Sequence, residues 1–142
     1  MKVLAFDFGA SSGRAMLGRF DGKNISLEEI HRFSNDPVRM NGTLYWDAPR
    51  LFFEIKEGIR KARAKGGFDA IGLDTWGVDF ALLDKAGDLI ANPVHYRDSR
   101  TEGMMEETFR LVPREEMYQR TGSQFMRINT VFQLLALAKK RP

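Results

Sequence analysis

The sequence of 142 residues contains no cysteine, which excludes disulfide bridges and thiolate metal centres within it. It also lacks an apolar run long enough to cross a membrane. The short apolar segment at its N-terminus is interrupted by Asp7 and does not have the length of a signal peptide. We therefore expect a soluble protein of the reducing cytoplasm.

Charge of one sign is nowhere concentrated. The sequence has 22 Lys and Arg residues against 19 Asp and Glu residues, a net charge of +3, and no run of five like charges. Proteins that bind nucleic acids or anionic membranes present basic clusters, so we expect neither kind of partner. Hydrophobic residues at 43% and charged residues at 29% are typical of one globular domain.

Hydrophobic runs near the N-terminus predict an α/β domain with a mixed sheet. Residues 3–8, 14–20 and 25–33 have the patterns of strands, and Asp21-Gly22 has the composition of a tight turn. The chain is therefore predicted to open with an antiparallel meander of three strands. A loop is predicted to follow over residues 35–46.

A helix and a further strand then predict a parallel crossover. Asp47 has the position of an N-cap, and Gly66-Gly67 would end the helix. The apolar residues predicted to share its buried face are Leu51, Phe52, Ile55, Ile59 and Ala62. Residues 68–74 predict a buried strand, and the strand–helix–strand order predicts a parallel crossover.

The last third of the chain is predicted to be helical, after a hairpin turn at residues 84–87. Helices are predicted from Thr101 to Val112, from Pro113 to Tyr118 and from Thr130 to Ala138. Thr130 and Gln133 have the spacing of a capping box. No closing strand is predicted, and an unpaired sheet edge would invite self-association.

The turn after the first strand has the composition of an anion-binding loop, Asp7-Phe8-Gly9-Ala10-Ser11-Ser12-Gly13-Arg14. Glycines allow backbone N–H groups to approach an anion, hydroxyls donate hydrogen bonds, and arginine offers a forked cation. Asp7 could bind Mg²⁺ through water. The loop is neither a Walker A motif nor a dinucleotide fingerprint. A tight hairpin in which these residues only make the turn is an equally good interpretation of the pattern.

A polar and aromatic turn, Asp74-Thr75-Trp76-Gly77-Val78-Asp79-Phe80, follows the strand predicted at residues 68–74. An aromatic face beside a carboxylate suits a sugar, so Trp76 with Asp74 or Asp79 is a candidate ligand site. Gly77 would let the backbone approach that ligand. Taken alone, the pattern favours the alternative in which Trp76 belongs to the core.

A loop before Thr101 concentrates polar and aromatic residues. Tyr96 is a candidate to face a ligand, and Asp98 and Arg100 are predicted to organise the loop as an ion pair. His95 could act as a base, but a lone histidine in a loop is more often a surface residue.

Together these motifs resemble the rhamnulokinases, a group within the FGGY family of carbohydrate kinases. The matching segments are residues 7–14, 30–33, 74–80, 96–101, 118–122 and 129–130. The resemblance runs through nearly the whole chain, and Trp-Gly-Val-Asp is its most specific part. It implies the ribonuclease-H-like fold of the actin-like ATPases.

By this resemblance, residues 1–142 would be the N-terminal part of the first of two domains. The cofactors would be ATP and Mg²⁺, and the kinase would transfer the γ-phosphoryl group to O1 of L-rhamnulose. Asp7 would lie near Mg²⁺. The residues expected to contact ATP are Ala10, Ser11, Ser12, Gly13 and Arg14. Those expected to contact the ketose are Gly77, Trp76, Asp79 and Tyr96.

The family's catalytic base lies downstream of these residues, as do its second phosphate loop and its adenosine pocket. We therefore expect no catalytic residue here and no appreciable phosphoryl transfer by this chain alone. Two alternatives stay open. One is an FGGY kinase for another ketose or polyol, and the other is a non-enzymatic nucleotide-binding module of the actin-like fold.

Overall fold

The structure is a computed structural model that describes residues 1–140. Its strands are β1 (Lys2–Phe8), β2 (Ser12–Phe20), β3 (Ile25–Ser34), β4 (Val38–Met40), β5 (Thr43–Tyr45) and β6 (Ala70–Asp74). Its helices are α1 (Ala48–Ala64), α2 (Met104–Leu111), α3 (Arg114–Thr121) and α4 (Thr130–Lys139). The chain forms two compact units, one of Met1–Val38 with Trp46–Gly77, the other of Arg39–Tyr45 with the described residues from Val78 onward.

The first unit contains a mixed sheet with the strand order β3-β2-β1-β6. β1, β2 and β3 are antiparallel neighbours, and β6 runs parallel to β1. The predicted meander and the predicted crossover are therefore both confirmed. The hairpin between β2 and β3 turns as expected, because the Asp21 carboxylate accepts the backbone N–H groups of Lys23 and Asn24.

Helix α1 begins and ends where the sequence predicts. Asp47 Oδ1 accepts the backbone N–H of Arg50 at 3.1 Å, and Gly66 and Gly67 have left-handed φ angles of 88° and 74°. The predicted buried face is wrong at Phe52, whose side chain is 60% exposed. Gly58 is buried instead. Its backbone lies so close to the Phe6 ring that a Cβ there would be only 2.6 Å from it.

A buried ionic network joins α1 to β3. Glu54, 2% exposed, lies 2.5 Å from His31 Nε2 and accepts a hydrogen bond from Arg50 Nε at 2.5 Å. Lys61 Nζ lies 2.8 Å from the other ring nitrogen of His31. No local sequence pattern marks His31 for this contact with helix α1.

Strand β6 is present as predicted, but it is not buried. All five of its residues are exposed, and Ile71 and Leu73 are each 52% exposed. Their register opposite Leu4 and Phe6 places them on the sheet face that α1 covers. Within residues 1–140, β6 pairs only with β1 and so forms an edge of the sheet.

The second unit contains a short hairpin and the later helices. β4 and β5 form a two-stranded sheet around Asn41 and Gly42, where the sequence predicts a turn within a loop but no strands. Their left-handed φ angles of 49° and 80° suit a tight hairpin turn. The hairpin predicted at residues 84–87 is confirmed by a bridge between Leu83 and Leu89.

The helix predicted from Thr101 is interrupted. A 3₁₀ turn at Ser99–Thr101 is followed by Gly103, which has a left-handed φ of 74°. The backbone changes direction there, and Gly103 is the N-cap of α2. α2 packs against α4 through Phe109 and Phe132, whose rings meet edge to face at 6.1 Å. Helix α3 starts directly after Pro113, as predicted.

Candidate functional site

The candidate phosphate loop lies in the first unit, where β1 ends and β2 begins. Asp7 and Arg14 are direct partners across the two strands, and Arg14 Nε lies 2.9 Å from Asp7 Oδ2. Asp74 lies opposite Asp7 on the neighbouring strand β6. Because directly paired residues share a face of the sheet, these three charged side chains lie in one row.

The turn between β1 and β2 is fixed by Asn35, a residue that the sequence analysis did not identify. Asn35 is 4% exposed, its Nδ2 donates to the Gly9 carbonyl at 2.9 Å, and its backbone N–H donates to the Ser11 carbonyl at 3.0 Å. The register of the meander could have indicated this contact. The end of β3 necessarily lies beside the start of β2, with Ser34 opposite Ser12.

The packing of the chain itself favours glycine at both of these loop positions. A Cβ at Gly13 would lie 2.2 Å from the Phe33 ring, and a Cβ at Gly9 would lie 3.0 Å from the Ser12 carbonyl oxygen. The hairpin interpretation therefore accounts for both glycines. Ser11 and Arg14 are nevertheless exposed, so a hydroxyl and a guanidinium at this end of the sheet are accessible to an anion.

The carboxylates of the first unit can contribute to a magnesium site but do not form a complete one. Within residues 1–140, no group of three or more His, Cys, Asp or Glu residues could bind a metal ion. Mg²⁺ usually keeps several waters and uses one or two carboxylates together with substrate phosphates. The exposed carboxylate of Asp7, beside Asp74, fits that limited role.

Trp76 is largely a packing residue. Its ring stacks on that of Trp46, with centroids 4.1 Å apart and an interplanar angle of 31°, and Trp46 is 1% exposed. Trp76 packs against the core cluster while staying partly exposed. The next residue, Gly77, is exposed, and a Cβ there would meet no described atom within 4 Å. Packing among the described residues therefore does not require glycine at that position.

In the second unit, the first turn of α4 contacts the segment Val78–Asp79. Thr130 Oγ1 donates to the Val78 carbonyl at 2.6 Å, and Gln133 Nε2 donates to Asp79 Oδ1 at 3.1 Å. The predicted capping box is therefore wrong. The N-cap is Asn129, and both polar side chains of the predicted box bind a distant part of the chain.

Asp98 organises the loop before α2, but it does so through backbone groups. Its two carboxylate oxygens accept the backbone N–H groups of Arg100 and Leu44, at 2.9 and 2.7 Å. The guanidinium of Arg100 donates to Gln133 Oε1 at 2.7 Å, which corrects the predicted ion pair. Burial lowers the pKa of Arg100 below its usual value.

His95 is buried rather than a surface residue, with 1% of its area exposed. Its Nδ1 accepts the backbone N–H of Arg97 at 3.0 Å, so the neutral ring carries its proton on Nε2. Burial lowers the pKa of His95 below 6.5. The neighbouring Tyr96 is partly exposed, with its ring 4.6 Å from that of His95. A role as general base does not suit a histidine whose accepting nitrogen is already used.

Known proteins resemble this chain both in sequence and in fold. Residues 2–142 match the FGGY family of carbohydrate kinases, N-terminal domain. Over 141 residues the chain is 47% identical to rhamnulokinase of Halalkalibacterium halodurans, an alignment that covers 98% of this chain and 30% of that protein. The chain thus spans about a third of the length of this curated relative.

Solved structures share the fold. Gluconate kinase from Lactobacillus acidophilus superposes with a TM-score of 0.80 at 18% identity, covering 98% of this chain and 28% of that one. Xylulose kinase from Rhodospirillum rubrum superposes with a TM-score of 0.78 at 17% identity, covering 100% and 30%. The predicted α/β fold of the actin-like ATPases is confirmed. The chain belongs to the FGGY family of carbohydrate kinases.

Proposed function

We propose that the complete protein is an ATP-dependent kinase that phosphorylates O1 of L-rhamnulose, with L-rhamnulose 1-phosphate and ADP as products. The observation that carries this proposal is the 47% identity to a rhamnulokinase, which extends over 98% of the chain. Both sequence motifs lie within the aligned segment. The more distant solved relatives share only the fold.

On the nucleotide side, phosphoryl transfer depends on positioning and on neutralising the charge of the phosphates. The residues proposed to contact ATP are Ala10, Ser11, Ser12, Gly13 and Arg14. Arg14 is suited to phosphate because its side chain is nearly half exposed. It lies on β2 just after the turn that Asn35 fixes. Asp7 would orient hydrated Mg²⁺, which when bound would supply positive charge to the phosphates.

On the sugar side, Gly77, Trp76, Asp79 and Tyr96 are proposed to contact the ketose. Gly77 supports this proposal because the described packing leaves room for a side chain that the sequence does not use. The carboxylate of Asp79 can accept hydrogen bonds from sugar hydroxyls. The stacking of Trp76 on Trp46 limits its role to that of a partly exposed wall.

The general base is proposed to lie beyond residue 142, so the present chain by itself would not transfer phosphate. Within residues 1–140 no helix is long and apolar enough to cross a membrane. The cytoplasmic location stays a prediction.

Self-association through β6 also stays a prediction, supported by the exposed Ile71 and Leu73 at that edge. Sedimentation of the 142-residue chain beside the complete protein tests it.

The test of the function is ADP release by the complete protein with ATP, Mg²⁺ and a panel of L-rhamnulose, L-fuculose, D-xylulose and glycerol. We expect the complete protein to have its highest kcat/KM with L-rhamnulose. We expect no ADP release by the 142-residue chain with any of these sugars. A preference for another sugar would overturn the substrate assignment. ATP hydrolysis that no sugar stimulates would instead favour the nucleotide-binding module.

A further inference from the structure

Val78 has a backbone conformation that β-branched residues rarely adopt. Its φ is 68°, and within residues 1–140 Asn41 is the other non-glycine residue with a positive φ. Asn41 occupies a hairpin turn, where asparagine is common. Valine in the left-handed region is strained, and such strain persists only where the surroundings compensate for it.

Helix α4 supplies that compensation. The Val78 carbonyl accepts hydrogen bonds from Thr130 Oγ1 at 2.6 Å and from Gln133 Nε2 at 3.3 Å. Gln133 Nε2 also donates to Asp79 Oδ1 at 3.1 Å. Two side chains in one turn of a helix thus contact both the strained residue and the carboxylate that follows it.

The amide of Gln133 can be oriented in only one way. Gln133 is fully buried, and its Oε1 accepts Arg100 Nη2 at 2.7 Å. A guanidinium has only donors, so the oxygen of the amide must face Arg100. The two N–H donors are then directed to oxygen acceptors at Val78, Asp79 and Ile128.

We propose that Thr130 and Gln133 are positioning residues, which fix the backbone at Val78 and thereby aim the Asp79 carboxylate at a hydroxyl of the ketose. This inference rests on the proposed function, because it takes the ligand of Asp79 to be a polyhydroxylated ketose. Neither side chain needs to touch the sugar. Their effect passes through the conformation of the segment they bind.

The experiment compares Thr130→Val, which removes the hydroxyl at nearly constant volume, with Thr130→Ser, which keeps it. In the complete protein we expect Thr130→Val to raise the KM for L-rhamnulose about tenfold, the usual effect of one lost hydrogen bond, with kcat and the KM for ATP little changed. Thr130→Ser should stay near the wild type. The matched control is Val131→Ala, because Val131 lies in the same turn and is 41% exposed.

Rescue separates positioning from simple loss of packing. Glycine adopts a positive φ without strain, so Val78→Gly in the Thr130→Val background should lower the ketose KM back toward the wild-type value. Gln133→Glu should behave like Thr130→Val, since it turns a carboxylate oxygen toward three acceptors. Equal losses for both substrates, or no rescue by Val78→Gly, would overturn the inference.

A wild-type enzyme without activity on any sugar would overturn the proposed function, and the ketose role of Asp79 with it. The contact itself is still measurable in that case by thermal unfolding. Val78→Gly should then raise Tm more in the Thr130→Val background than in the wild type. Equal shifts in the two backgrounds would show that Thr130 does not compensate for the strain at Val78.

Discussion

Arg14 Nε lies 2.9 Å from Asp7 Oδ2, across two antiparallel strands, while 44% of the Arg14 side chain and 51% of the Asp7 side chain stay exposed. An ion pair so open to water contributes little to stability, at most about 1 kcal/mol. Both groups are therefore available for ligands at little cost to the fold.

We expect Arg14→Gln in the complete protein to raise the KM for ATP about tenfold, as loss of a charged hydrogen bond to phosphate would, and to leave Tm nearly unchanged. Steady-state ADP release and thermal denaturation measure the two effects. The matched control is Arg19→Gln. Arg19 lies on β2, as Arg14 does, and makes a similarly exposed ion pair with Glu28 of β3. Indistinguishable kinetics for the two variants would contradict the phosphate role.

Gly13→Ala is expected to lower the free energy of unfolding by about 1–3 kcal/mol, since the new methyl group overlaps the Phe33 ring. Urea denaturation of the complete protein measures this loss. Adding Phe33→Leu should restore part of it. Gly72→Ala is the control, because no described atom lies within 4 Å of a Cβ there, and its effect should stay within about 0.5 kcal/mol. If Gly13→Ala proves neutral, the packing explanation of that glycine is wrong.

Glu54→Ala is expected to destabilise the protein by about 3 kcal/mol or more, because it removes the anion of a buried network that contains His31. Chemical denaturation measures the change. Glu57→Ala on the same helix is the control, since its partner Arg60 is exposed, and a much smaller loss is expected. Similar losses for the two variants would show that the network adds nothing beyond a surface pair.

Acid is expected to destabilise the fold through His95. Burial lowers its pKa in the folded state below 6.5, so the unfolded chain binds the proton more readily. The stability that buried, neutral His95 contributes is present above pH 6.5, and it is lost as pH falls from there toward the pKa of His95 in the folded state. His95→Asn, whose Oδ1 can still accept the Arg97 N–H, should flatten the dependence of ΔG of unfolding on pH. An unchanged slope between pH 7 and pH 5 would refute this assignment.

Local signals predicted the first unit well. Alternating and continuous apolar runs gave β1 to β3, and the N-cap at Asp47 and the glycines at Gly66-Gly67 gave both ends of α1. These features depend on neighbours in sequence, so the residues themselves carry the information. The candidate phosphate turn was found for the same reason.

Errors arose where a residue's partner lies far along the chain. Thr130 and Gln133 have the spacing of a capping box, yet their partners are Val78 and Asp79, about 50 positions earlier. Asn35 fixes a turn 26 positions away, and no local pattern marks it. Strand β6 has the composition of a buried strand, but composition does not show that, within residues 1–140, it lies at the edge of the sheet, where Ile71 and Leu73 stay exposed.

The stacked indoles of Trp46 and Trp76 are the only two tryptophans in the sequence. All indole emission of these 142 residues therefore originates in the first unit, from two chromophores close enough for excitonic coupling. A tryptophan fluorescence melt would follow that unit alone, whereas ellipticity from the backbone also reports helices α2 to α4. Transitions that fail to coincide would show that the two halves lose structure in separate steps.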